Sequence, residues 1–168
     1  MARNVKAWFL GDLSAHGDPA GVTYGTLIAG AIIAIELGHA YDLPKSIAII
    51  VCAAVLYWAA DAYANNVGYR YLHREPFSWS SVGRSLWFER SVARGATLPI
   101  VAIIVAGAAQ RSVIRSLEVG EWMAIVQLIA YEVIVGVRIG ARGLQLAYQA
   151  IAGAVLGAGI LFLKSIVG

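Results

Sequence analysis

Five long stretches of mostly apolar residues dominate this sequence. A helix that crosses a bilayer needs about 20 consecutive, predominantly apolar residues. We expect membrane spans over about residues 20–38, 46–69, 95–110, 121–140 and 144–167. Only 14% of the residues are charged, whereas about a quarter are charged in a typical soluble domain. The sequence therefore predicts one all-α integral membrane domain, residues 1–168, built as a bundle of about five transmembrane helices.

One further segment, residues 77–93, mixes aromatic and aliphatic residues with charged ones. Val82 and Leu86 are four residues apart, which places them on one face of a helix. Tryptophan side chains prefer the headgroup level of a membrane. We expect an amphipathic helix on the cytoplasmic interface, serving as a surface anchor or, alternatively, in lipid sensing or as a collar around a gate.

The basic residues are unevenly distributed between the two predicted sides of the membrane. With five spans, one side holds Arg3, Lys6, Arg70, Arg74, Arg84, Arg90, Arg94, Arg138 and Arg142, and the other holds Lys45, Arg111, Arg115 and Lys164. Cytoplasmic loops are richer in Lys and Arg. We therefore expect a multi-pass protein of the bacterial cell (inner) membrane with a cytoplasmic N-terminus and an external C-terminus. A re-entrant third span would instead place the C-terminus inside. This topology also accounts for the net charge of +3, so we expect no nucleic-acid partner.

Ionisable residues inside membrane spans are energetically costly and usually face protein or water. In the second predicted span, Tyr57, Asp61 and Asn65 are spaced by four and share a helix face, with Asn66 beside them. The later spans bring Gln127, Glu132, Arg138 and Gln149 to the same, cytoplasmic half. These residues predict a polar cavity that opens to the cytoplasm, with Asp61 at its centre. Tyr57, Asn65, Asn66 and Glu132 would join Asp61 in the ion- or proton-binding site or pore. Arg138, Gln127 and Gln149 would modulate the site or pair structurally, as could Glu132. The alternative is a network, such as Asp61 or Glu132 with Arg138, that only locks the bundle.

The outer end of the first span carries Glu36 and His39, three residues apart. This spacing can bind a metal or share a proton, but it is also typical of a solvated helix end. The sequence contains no phosphate-binding loop, zinc-protease motif or nucleotide-binding fingerprint. We expect no cofactor and no metal.

Glycines recur every four residues in three predicted spans. The series are Gly17, Gly21 and Gly25; Gly136 and Gly140; and Gly153 and Gly157. Such spacing lets a neighbouring backbone approach closely. It indicates either packing within the chain or association with a second copy.

The order of these features resembles that of small, uncharacterised multi-span membrane proteins of bacteria, particularly actinobacterial ones. The resemblance rests on Tyr24-Gly25-Thr26, on the run from Tyr57 to Ala64, and on Leu98-Pro99. It implies a membrane helical bundle and no particular activity.

Three functions fit the sequence. The first is a homo-oligomeric channel or carrier for protons, small cations or a small solute, with Asp61 as the binding group. The second is a non-catalytic accessory subunit of a larger membrane complex. The third is a membrane enzyme that uses Asp61 and Glu132 as acid and base, although the sequence favours a chain that is not an enzyme.

Overall fold

A computed structural model describes residues 19–39, 42–110 and 112–167. This part of the chain folds into six α-helices and no strands. They are α1 (Pro19–His39), α2 (Leu43–His73), α3 (Trp79–Phe88), α4 (Arg90–Gln110), α5 (Val113–Arg138) and α6 (Leu144–Val167). All of them except α3 are long and apolar enough to cross a membrane. The predicted all-α, multi-pass bundle is therefore confirmed.

Helices α2, α4 and α5 begin earlier than hydropathy predicted. Helix α2 begins at Leu43, because the Asp42 carboxylate accepts a hydrogen bond of 2.8 Å from the backbone N–H of Lys45 and caps the helix. Helix α5 begins at Val113, with Ser112 as its N-cap, eight residues before the predicted start at 121. Hydropathy placed that start too late, since the first two turns of α5 contain charged residues.

The interfacial segment is also shorter than predicted. Helix α3 covers Trp79–Phe88, whereas residues 90–93 form the first turn of α4. Several aromatic side chains near and on α3 are exposed, as an interfacial helix requires: Phe77, Trp79, Trp87 and Phe88. The predicted N-terminal basic residues, Arg3 and Lys6, and Gly17 lie outside the described residues, as does Arg111.

Helix α1 is at the centre of the bundle and packs against α2, α4, α5 and α6. Helix α2 lies at the periphery, where it packs against α1, α3 and α4. Near the predicted outer side, one apolar cluster joins four helices through Ile33, Ile50, Ile103 and Leu117. Deep burial thus belongs mainly to α1, α4 and α5, while α2 and α6 keep broad outward surfaces.

Close helix packing depends on glycine at several positions. A Cβ at Gly25 would collide with the backbone carbonyl of Val92, and one at Gly95 would collide with the backbone of Val22 and Thr26. Helices α1 and α4 therefore contact each other backbone to backbone. Gly153 and Gly157 similarly face α5, which supports the interpretation that these glycines pack within the chain.

The predicted pair Gly136 and Gly140 does not form one packing face. Gly136 faces Gln149 on α6, whereas Gly140 lies in the turn after α5 with a φ of +81°. This left-handed conformation favours glycine, because a Cβ would be strained there. Gly143, with a φ of +56°, completes the same tight connection between α5 and α6.

Candidate functional site

Two tyrosines from neighbouring helices meet beside Asp61. The hydroxyl groups of Tyr24 on α1 and Tyr57 on α2 are hydrogen-bonded to each other. Their rings pack edge to face, with centroids 5.3 Å apart. Asp61 lies one helical turn after Tyr57 on α2. The structure thus brings two of the predicted site residues, Tyr57 and Asp61, together with Tyr24, which the sequence did not single out.

Tyr24 also borders an open groove on its other side. This groove, of about 530 Å³, is lined by Thr23, Tyr24 and Leu27 of α1 and by Glu132 and Val135 of α5. Glu132 is partly buried in its wall. Asp61 and Glu132 therefore do not share one enclosed cavity. They lie on α2 and α5, which both pack against α1. Tyr24 on α1 is hydrogen-bonded to Tyr57, one turn before Asp61, and lines the same groove as Glu132.

Gln127 has a structural partner deep in the bundle. Its amide nitrogen donates to Thr26 Oγ1 at 2.8 Å and to the carbonyl oxygen of Gly95 at 3.0 Å. Pro99, four residues after Gly95, has no N–H to donate to that carbonyl, which leaves it free inside the helix. Gln127 and Thr26 satisfy this carbonyl, so they join α1, α4 and α5 rather than lining a pathway.

The two asparagines of α2 bind the interfacial segment and not Asp61. Asn66, which is buried, donates to Ser85 Oγ at 3.2 Å and accepts from the Arg70 side chain at 3.0 Å. Asn65 donates to the Glu89 carboxylate at 2.9 Å. These bonds hold α3 against the end of α2, because both asparagines lie where the peripheral helix meets the interfacial one.

The predicted pairing of Arg138 with Asp61 or Glu132 is not observed. Arg138 is exposed at the end of α5 and forms no ion pair with any residue that the structure describes. Asp61 likewise accepts no hydrogen bond and forms no ion pair within the described ranges. Gln149 packs against Gly136, and its carbonyl oxygen is buried without a partner in the same part of the chain.

Polar burial in the predicted outer half was missed from the sequence. Glu121 is completely buried, and its carboxylate accepts a hydrogen bond of 3.0 Å from Lys164 Nζ. Glu118 lies 4.0 Å from the same nitrogen. The predicted span began at residue 121, but the earlier start of α5 places Glu121 in the third turn of the helix. The helical spacing of Glu118 and Glu121 was a signal that both could face one partner.

Glu36 and His39 do not converge on a shared site. Glu36 is buried, whereas His39 is exposed and its Nδ1 lies 3.0 Å from the backbone carbonyl of Ile35. Within residues 19–39, 42–110 and 112–167, no group of three or more His, Cys, Asp or Glu side chains is placed to hold a metal ion.

Comparisons with protein-family models, with curated proteins and with solved structures found no match for this chain. The class is therefore defined by the fold alone. The chain is a multi-pass α-helical membrane protein with charged and polar groups inside its spans.

Proposed function

We propose that this protein is a homo-oligomeric channel or carrier for protons, small cations or a small solute, and that Asp61 is its binding group. The observation that carries the proposal is the position of Asp61. Its carboxylate is partly exposed on the peripheral helix α2 and has no partner among the described residues. A charged group at the centre of a lipid-facing helix costs about 2.5–3.5 kcal/mol on insertion scales, so such groups normally face water or protein.

A second copy of the chain would remove this cost. Tyr57 and Tyr63, on either side of Asp61, are also exposed, and only a minor part of the apolar stretch of α2 is buried within the chain. Association through α2 would enclose the carboxylates of neighbouring copies between helices. Such an arrangement would place the pathway between subunits.

The tyrosine pair gives the pathway a route for protons. The hydroxyls of Tyr57 and Tyr24 can each accept and donate one proton, and they connect the surroundings of Asp61 to the groove bordered by Glu132. Protons would pass between the two carboxylates along these hydroxyl groups, with water completing the route at each end, because neither hydroxyl is hydrogen-bonded to a carboxylate of a described residue. A cation or small solute would instead bind Asp61 directly.

The test is flux through purified protein in liposomes, measured with proton- and cation-sensitive dyes. We expect Asp61→Asn to abolish flux while the fold is retained, because the amide keeps the size of the side chain but not its charge. Glu75→Gln is the matched control, since Glu75 is exposed on the same predicted side of the membrane and lies outside the site. Flux in Asp61→Asn equal to that of the unmodified protein would refute the assignment of Asp61.

Tyr24→Phe separates proton relay from solute binding. The variant keeps the ring contact with Tyr57 and removes one hydroxyl of the pair. Proton flux should fall about tenfold or more if the hydroxyls carry protons, while cation flux should persist. Equal loss of both fluxes would contradict a relay.

We expect the N-terminus to face the cytoplasm of a bacterial cell, on the distribution of Lys and Arg. Reporter fusions at both termini test this orientation, and five spans require opposite signals at the two ends.

The alternative function is an accessory subunit of a larger membrane complex. The same outward surfaces of α2 and α6 favour it, because a larger partner could cover them as well as a second copy. The mass of the particle purified in mild detergent distinguishes the two. A closed assembly of one chain type supports transport, whereas consistent retrieval with a larger protein and no flux supports the accessory function.

A further inference from the structure

A second open groove lies where α3 meets the beginning of α4. It has a volume of about 410 Å³, and its walls include Trp58, Leu86, Trp87, Arg90, Arg94 and Thr97. The aromatic and aliphatic residues make most of this surface apolar. Two arginines, one helical turn apart on α4, stand beside it. The groove therefore combines an apolar wall with concentrated positive charge at the end of a membrane span.

The arginines are available to an external anion. Arg94 is exposed and Arg90 partly exposed, and neither forms an ion pair with any described residue. The Arg90 guanidinium lies over the Trp87 ring, 4.5 Å from its centroid. This contact uses the face of the guanidinium and orients it, while the N–H groups at its edge stay free to donate.

Trp58 forms part of the apolar wall of the groove. Its indole nitrogen is buried, and the N–H finds no acceptor within the residues that the structure describes.

We propose that this groove binds one anionic phospholipid, whose phosphate contacts Arg90 and Arg94 and whose acyl chain lies along Trp58 and Leu86. The position of the groove fits this ligand. It lies between the short helix α3 and the first turns of the candidate membrane span α4, on the side that is predicted to carry most of the basic residues. Basic pockets between spans on the cytoplasmic side are suited to acidic headgroups. This binding does not depend on transport.

The test is native mass spectrometry of the full chain, titrated with phosphatidylglycerol or with phosphatidylcholine of the same acyl chains. We expect the protein to bind one phosphatidylglycerol per chain in preference to phosphatidylcholine. Because each Lys or Arg near an anionic headgroup strengthens binding by about fivefold, Arg90→Gln combined with Arg94→Gln should weaken phosphatidylglycerol binding by about 25-fold. Phosphatidylcholine binding should change little.

The matched control combines Arg138→Gln and Arg142→Gln, which remove the same charge on the same predicted side. These arginines lie at the end of α5 and in the turn after it, outside the lining of the groove. An equal loss of binding in this control would show diffuse attraction by net charge and overturn the site. If the Arg90 and Arg94 double variant does not purify as a single species, Arg94→Gln alone decides. A fivefold loss supports the site, and a loss below twofold overturns it.

A free phosphate ion presents the same charged group to Arg90 and Arg94 as a phospholipid headgroup does. Inorganic phosphate, titrated to millimolar concentration, should not displace phosphatidylglycerol, because it lacks the acyl chain that fills the apolar part of the groove. Displacement by phosphate at that concentration would overturn the lipid assignment.

Discussion

The hydrogen bonds at Gly95 allow a quantitative test of how this bundle is held together. Thr26 Oγ1 lies 2.8 Å from the carbonyl of Val22 and 3.1 Å from that of Gly95, but it has only one hydrogen to donate. When Thr26 donates to Val22, Gln127 is the donor that serves Gly95. Gln127→Met therefore leaves Thr26 as the one remaining donor to the Gly95 carbonyl, and its single hydrogen is also within reach of Val22.

The expected cost follows from these contacts. Side-chain hydrogen bonds between membrane helices contribute about 0.6 kcal/mol on average and about 1.7 kcal/mol at most. Losing both bonds of Gln127, and leaving the Gly95 carbonyl with a donor that it shares with Val22, should lower the free energy of unfolding by about 2 kcal/mol. In a Pro99→Ala background, the new N–H can donate to Gly95 four residues earlier. The cost of Gln127→Met should then fall to about 1 kcal/mol or less, which is the contribution of the bond to Thr26.

Reversible unfolding in mixed micelles, followed by circular dichroism, measures the four corners of this double-mutant cycle. The control is Gln145→Met, the same chemical change at an exposed position near the start of α6, which should alter stability by no more than about 0.5 kcal/mol. The reasoning would be refuted if the effects of Gln127→Met and Pro99→Ala were additive within about 0.5 kcal/mol.

Two further predictions concern packing and charge. Lys164→Met should destabilise the protein by about 3–5 kcal/mol, because it leaves the buried Glu121 carboxylate unpaired. Adding Glu121→Gln should restore most of the lost stability. No recovery in the double variant would argue against the ion pair. Gly25→Ala should destabilise the protein by about 1–3 kcal/mol, because the new Cβ would collide with the backbone of α4. The control is Gly159→Ala on α6, which has open space around it and should be neutral or stabilising. Thermal unfolding of both variants decides the comparison, and equal melting temperatures would contradict the close approach of α1 and α4.

The position of Asp61 shows where sequence reasoning stopped. The spacing of Tyr57, Asp61 and Asn65 correctly placed them along one stripe of α2. It did not reveal that the adjacent stripe, which includes Ala62 and Asn66, is the one buried against the rest of the chain. Two neighbouring polar residues thus have different environments: Asn66 is buried with two partners, and Asp61 is partly exposed with none among the described residues.

The sequence by itself determined the all-α class, the presence of five helices long and apolar enough to cross a membrane, and a short helix between the second and third of them, because hydropathy is a property of each local stretch. Only the tertiary structure decided which polar groups meet. The partners of Gln127 and Glu121 lie more than thirty residues away in the chain. The hydropathy pattern could not tell which face of each helix is buried in the bundle and which faces lipid. Lipid tails are as apolar as leucine, so a membrane helix is apolar on both faces. Close glycine contacts, and the Gly95 carbonyl that receives its hydrogen bonds from Gln127 and Thr26, fix the rotation of α1, α4 and α5, and that rotation decides which side chains are buried.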